Sequence, residues 1–351
     1  MQIIPHSRPW IDESDLRAVR DILLGEMIAQ GAEVRSFENT FAEYVGCSRG
    51  VATGSGTAAL VLALRALRVS AGNEVILPTY TCRNVLDAVR AVGASPVLCD
   101  VGADWNMTAE TVARHVTPRT SAMIVVSTFG IANPLDSFRE LNIPIVEDSC
   151  QRLVPATPSR GKPSGSEIRV FSFHATKCLA TGEGGMATSP DEDLVDAMRR
   201  LRDGDDSARP DERRVASPMT DLQAALGRSQ LARYGEFLAR RQRIAERYFR
   251  ELATDLFERP NRIQARSMFF RYPLRWRGEF LTIQRGFADR GIHVRKGVDQ
   301  LLHRILKLDD RLFPVAERLF AETVSLPIYP ALSEKEQDRV IAACLEFPSS
   351  P

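Results

Sequence analysis

An α/β fold, with a mainly parallel sheet sandwiched by helices and a smaller C-terminal α+β domain, is predicted by three observations in this 351-residue sequence. Short, near-continuous apolar runs recur at Gly50–Thr53, Glu74–Pro78, Pro96–Asp100, Ala122–Ser127, Ile143–Asp148 and Arg169–His174. Helical stretches separate several of them, and strands apolar on both faces belong to a parallel sheet covered on both sides. A long helical stretch then bridges to a shorter set of elements, which divides the chain into residues 1–250 and 251–351.

Taken in order, Asp12 or Ser14 caps a first helix carrying Leu16, Val19, Ile22 and Leu23, and a second, from about Glu33 to Tyr44, stripes Val34, Phe37, Phe41 and Tyr44. The run ending at Thr53 is followed by Gly54-Ser55-Gly56-Thr57 and the strong helix former Ala58–Leu67. Such a turn is either an anion site, with unpaired N–H groups at a positive helix end, or a plain tight turn. Helices are expected at Val85–Val92 and Thr108–His115. The polar stretch from Gly204 to Pro218 is longer than most loops in compact domains. Thr220-Asp221 caps the next helix, and Phe237, Ile244, Tyr248 and Leu252 mark the long one. Beyond it, Met268–Leu274 and Ile292–Arg295 read as strands, Leu281–Arg290 as a helix, and Ser333 with Glu336 as a capping box opening a last helix.

The totals exclude several classes. Charge is balanced, 46 Lys+Arg against 45 Asp+Glu, so no bulk field points to nucleic acid or an anionic membrane. The six cysteines show neither metal-ligand spacing nor disulfide density, and no metal is expected. No apolar run is long enough to span a bilayer and the N-terminus lacks a signal-type apolar core, which reads as cytoplasmic.

The chemistry gathers after the last apolar run. Ser172-Phe173-His174-Ala175-Thr176 leads to Lys177, and Gly182-Glu183-Gly184-Gly185 follows. Only five of the basic residues are lysines, so a chain that otherwise uses Arg keeps an amine here. An amine can form a Schiff base and an arginine cannot. The plainer alternatives are a strand-edge lysine or a point charge on a phosphate. Ligands collect at the carboxyl ends of strands in such sheets, which places Thr57, Asp148 and Lys177 in one neighbourhood.

Four segments together resemble the DegT/StrS-type aminotransferases, sugar-nucleotide enzymes of the fold type I class that depend on pyridoxal 5'-phosphate (PLP). They are Ser55-Gly56-Thr57-Ala58-Ala59-Leu60, Val146-Glu147-Asp148-Ser149-Cys150-Gln151, Ser172 through Lys177 with Gly182–Gly185, and Met219-Thr220-Asp221-Leu222-Gln223-Ala224-Ala225. The resemblance implies that Lys177 holds the cofactor and moves the proton. Asp148 would face its ring nitrogen and Gln151 its phenolic oxygen, with Ser172, Gly56 and Thr57 on its phosphate. It also implies a homodimer with active sites at the subunit interface, acting on a small keto substrate with an amino-acid donor.

Three departures bear on the substrate. Cys82 follows Pro78-Thr79-Tyr80-Thr81 where relatives often place a ring-stacking aromatic, so the cofactor ring is covered less well or is covered by Tyr80. Arg83 either reaches a substrate anion or pairs with a surface acid. Ala216 stands where relatives carry an asparagine that reaches the partner's phosphate, and Arg213 or Arg214 either takes over that contact or is a solvated loop charge. The relatives' H-Y-x-x-P-L-H element is reduced to Gly297–His303, which keeps only the final His303. The expected reaction is amination of a keto group, on a nucleotide-linked deoxysugar, with glutamate or glutamine as donor. The departures leave open a cyclitol or other non-sugar ketone, or a PLP-binding protein without turnover.

Overall fold

The computed structural model describes residues 2–156, 167–204, 214–252, 257–258, 267–276 and 278–346. Seven strands form the larger sheet: β1 Arg49–Thr53, β2 Glu74–Pro78, β3 Ser95–Cys99, β4 Thr120–Val126, β5 Ile145–Asp148, β6 Ile168–Ser172 and β7 Gly185–Ser189. Their order is β1-β7-β6-β5-β4-β2-β3. All pairings from β6 to β3 are parallel, while β7 is antiparallel to both its neighbours.

Successive side chains of a strand point to opposite faces, and both faces are buried. Val146, Val126 and Leu77 pack on one side with the helix Gly56–Ala66, whose Ala59, Leu62, Ala63 and Leu64 are fully buried. Their neighbours Ile145, Val125 and Ile76 pack on the other side with Phe138, and further along that side Phe171 meets Phe41 edge-on. That alternation is why the strand segments read as near-continuous apolar runs.

A three-stranded antiparallel sheet follows, β8 Phe257–Glu258, β9 Tyr272–Trp276 and β10 Thr323–Leu326, in the order β10-β9-β8. Its core includes Phe287, Val340 and Cys344 from the helices Phe280–Asp289 and Glu334–Leu345, and also Ile4 from the N-terminus. The residues Leu301, Phe313 and Leu319 pack into the core of the larger sheet instead.

Several expectations shift. Ile292–Arg295 forms only isolated bridges, Ile4 with Ile292 and Arg295 with Ser325, because the N-terminal segment and β10 each touch it at one point. The strand expected at 268–274 begins at Tyr272, after a left-handed Phe269 (φ 55°). Neither β7 nor β10 was read from the sequence. The helix caps at Asp12, Thr220 and Ser333 are present, each with its reciprocal capping-box partner. Among the described residues no helix is long and apolar enough to cross a membrane.

Candidate active site

Two reversals bring distant residues to one edge. Since β7 runs against both β1 and β6, those two strands point the same way, and the turn after Thr53 arrives beside the ends of β5 and β6. Ser55 caps the helix Gly56–Ala66 by accepting the Ala58 N–H at 3.2 Å. The first-turn amides of Gly56 and Thr57 have no partner within the helix. The packing requires glycine twice. A Cβ on Gly56 would stand 2.8 Å from the Ser172 Cβ, and one on Gly185 would stand 2.7 Å from the Gly56 nitrogen. Asn84 donates to the Thr57 hydroxyl at 2.9 Å.

Asp148 ends β5 and is 4% exposed. Its Oδ1 accepts the Cys150 N–H at 2.9 Å, and among the described residues no lysine or arginine pairs with it. A buried carboxylate without a cation is costly unless a ligand supplies one. Its charge is felt nearby. The walls of the cleft crowd Cys82 and Cys150, and that desolvation, then Asp148, pushes both thiol pKa values up, with Lys177 opposing. Cys82 nevertheless keeps one side open to solvent. Gln151 uses its Oε1 to accept the N–H of Phe129 at 2.8 Å, a residue held in left-handed backbone (φ 57°), and its NH2 group has no partner among the described residues.

The lysine sits on a loop closed by its own backbone. Phe173 donates to Gly184 and Ala175 to Gly182, each at 2.8 Å, and the Lys177 N–H reaches the His174 carbonyl at 2.8 Å. Gly184 (φ 154°) lies where a Cβ would meet the Thr181 Oγ1 at 2.6 Å. Gln223 Nε2 ties the loop to the helix Asp221–Ala232 through the Glu183 carbonyl, at 2.9 Å. Lys177 Nζ lies 5.1 Å from the Phe270 ring centre. Lys177, Cys150, Gln151, Ser172 and Phe270 line one recess.

Other expected residues lie elsewhere. Tyr80 is fully buried, edge-on to Phe129 and with its hydroxyl against Gly297, so it presents no face to the cleft. His303 is also fully buried: Nδ1 meets the Thr79 hydroxyl at 2.7 Å, Nε2 meets Glu317 at 2.8 Å, and its ring stacks on Phe313. It locks a helix to the end of β2 and is not open to a substrate. Arg83 pairs with Asp87 one turn on, at 3.3 Å, the surface acid of its plainer reading. Arg214 donates from Nε to the Arg202 carbonyl at 3.0 Å and rests on Gly204. Arg213 lies outside the described residues. Asp221 turns out to cap a second helix, accepting the Gly31 and Val34 N–H groups at 2.8 and 2.9 Å. Phe270 and Arg271 were not singled out from the sequence. The available signal was an arginine interrupting the apolar run Met268–Leu274.

A mostly parallel seven-stranded sheet with one reversed strand, and a lysine on the loop leading into that strand, are the architecture of the fold type I PLP-dependent transferases. The chain belongs to the DegT/DnrJ/EryC1/StrS aminotransferase family, whose profile matches residues 9–345. It is 35% identical over 341 residues to GDP-perosamine synthase of Caulobacter vibrioides, across 89% of each chain. The crystal structure of the aminotransferase TlmJ from Streptoalloteichus hindustanus superposes with a TM-score of 0.91 at 32% identity, covering 97% of this chain and 98% of that one. The PLP-form of Spr1654 from Streptococcus pneumoniae superposes at 0.89 with 29% identity, covering 97% of both.

Proposed function

We propose that this aminotransferase converts a keto group on a nucleotide-linked deoxysugar to an amine, with PLP as cofactor and glutamate or glutamine as donor. The observation that carries the reading is the convergence of Lys177, Asp148 and the Gly56–Thr57 turn on one edge of the sheet. The residues fit the cofactor. A carboxylate that is 4% exposed and has no cationic partner among the described residues suits a protonated ring nitrogen, and the glycine-lined helix start suits a phosphate. When bound, PLP supplies the electron sink for cleavage at the donor Cα.

Each side chain then has a task. Lys177 holds the cofactor through its amine and afterwards carries the proton away from the donor Cα. Asp148 keeps the ring nitrogen protonated, and Gln151 offers its NH2 to the phenolic oxygen. Ser172, with the Gly56 and Thr57 N–H groups, binds the phosphate, and Cys82 contributes a small, polarisable wall beside the ring. The functional unit is a homodimer with each site completed by the partner, and the division near residue 250 separates the cofactor-binding part from the part that covers the substrate.

A second acceptor class has a specific observation behind it. A Cβ at Gly297 would stand 2.1 Å from the Tyr80 hydroxyl, so a side chain is excluded where the family element carries its histidine. The family's first histidine is therefore missing from this element, which keeps a cyclitol or another non-sugar ketone as the second acceptor reading. Incubating the PLP-loaded enzyme with glutamate or glutamine and a panel of keto-sugar nucleotides and cyclitol ketones, with mass detection of the amine, separates the two. Amination of cyclitols alone would reject the nucleotide-sugar reading.

A further inference from the structure

One aromatic ring carries two cations. Lys177 Nζ lies 5.1 Å and Arg271 Cζ 5.9 Å from the centre of Phe270, so the two can be no further apart than the sum of those distances. Arg271 immediately precedes β9 and is anchored through one nitrogen: Nη1 donates to the Lys296 and Gly297 carbonyls, both at 2.8 Å. Among the described residues its Nε and Nη2, the pair forming one flat edge of the guanidinium, have no protein partner. Nor, among those residues, does a carboxylate pair with it. One neighbour, Arg295, adds positive charge, whereas burial and the arginines around it push the His6 pKa well down. Arg295 is bridged through its backbone to Ser325, and the Ser325 hydroxyl holds His6 at 2.9 Å. His6 and Arg295 line a groove that reaches Thr176, the residue before Lys177. Burial, followed by Arg295, depresses the Arg271 pKa, while exposed Asp299 offsets part of the effect.

A guanidinium held by carbonyls and crowded by other cations lacks its counter-ion, and its planar edge matches the oxygens of a carboxylate or phosphate. We propose that Arg271 is a substrate-binding residue whose free Nε–Nη2 edge takes an oxyanion of the molecule reacting beside Lys177. This rests on the aminotransferase reading above. The anion has two sources, the carboxylate of the amino donor or the phosphate of the acceptor.

The test uses the PLP-loaded enzyme and two unreactive probes, glutarate for the donor and GDP or dTDP for the acceptor. Arg271→Met should weaken one of them roughly ten- to a hundredfold and raise KM in the matching half-reaction, with the other half-reaction unchanged. Arg271→Lys should recover only part of the loss, because an ammonium lacks the fork. Visible absorbance of the bound cofactor and the melting temperature confirm that each variant is loaded and folded. Wild-type affinity for both probes in a loaded, folded variant overturns the proposal, as does a joint loss in both arms with a lowered melting temperature. A wild-type enzyme that transfers no amine and binds neither probe overturns the functional reading as well, whereas an active enzyme indifferent to Arg271 overturns this proposal alone.

Discussion

Gly185→Ala isolates the packing that builds the proposed phosphate site. Gly185 opens β7, pairing with Thr53 on one side and Ser172 on the other. A Cβ there would stand 2.4 Å from the Ser55 carbonyl oxygen and 2.7 Å from the Gly56 nitrogen. Both are backbone atoms, so no side chain can swing aside. Gly185 is not in left-handed backbone, which leaves the clash as the whole effect. Overpacking of this kind costs about 1–3 kcal/mol of stability. The turn must also move away from β7 and β6, and losing one charge-assisted N–H contact to phosphate is worth about 1.5–3 kcal/mol, or roughly ten- to a hundredfold in PLP affinity. Gly72→Ala is the control. Gly72 is left-handed (φ 90°) with nothing within 4 Å of the added Cβ, so it should lose about 1–2 kcal/mol through backbone strain alone and keep its PLP affinity. Thermal melts and absorbance titrations with PLP read both quantities. Wild-type melting and wild-type PLP affinity in Gly185→Ala would refute the reasoning.

Asp148→Asn should still bind PLP through the lysine and the phosphate turn while kcat falls by orders of magnitude, since an amide cannot hold the ring nitrogen protonated; an unchanged kcat would remove Asp148 from the chemistry. Crowding and the Asp148 charge raise the Cys82 pKa, so below that raised value the thiol is neutral; iodoacetamide should label Cys82 of PLP-free enzyme more slowly than free cysteine at mildly alkaline pH, and faster labelling would contradict this. Asp221→Ala leaves two N–H groups at the start of the helix Ala32–Val45 without their acceptor, and should cost about 1–3 kcal/mol in a denaturant melt, against no change if the cap is idle.

The larger sheet was legible wherever a strand is buried on both faces, because a run such as Val75-Ile76-Leu77 is apolar throughout. β7 escaped notice because Gly185-Met186-Ala187-Thr188-Ser189 is short, small and partly polar, and its opening glycine reads equally well as a turn. Asp148 and Lys177 could be singled out because each ends or follows a strand at the favoured edge. Tyr80 and His303 could not be judged from sequence, since the burial of each depends on a partner far along the chain, Gly297 for Tyr80 and Thr79 for His303. The approach of Gly185 to Ser55 and the sharing of Phe270 by Lys177 and Arg271 are likewise contacts between distant segments. Local periodicity carries no trace of them.

The central claim is that Lys177 holds PLP in a working aminotransferase. One measurement addresses it: the visible spectrum of PLP-loaded wild-type and Lys177→Ala enzyme, recorded before and after adding L-glutamate. Wild type should show the long-wavelength band of lysine-bound cofactor and lose it on addition of glutamate, while folded Lys177→Ala shows neither the band nor the change. A Lys177→Ala enzyme that retains the band and responds to glutamate as wild type does would contradict the account.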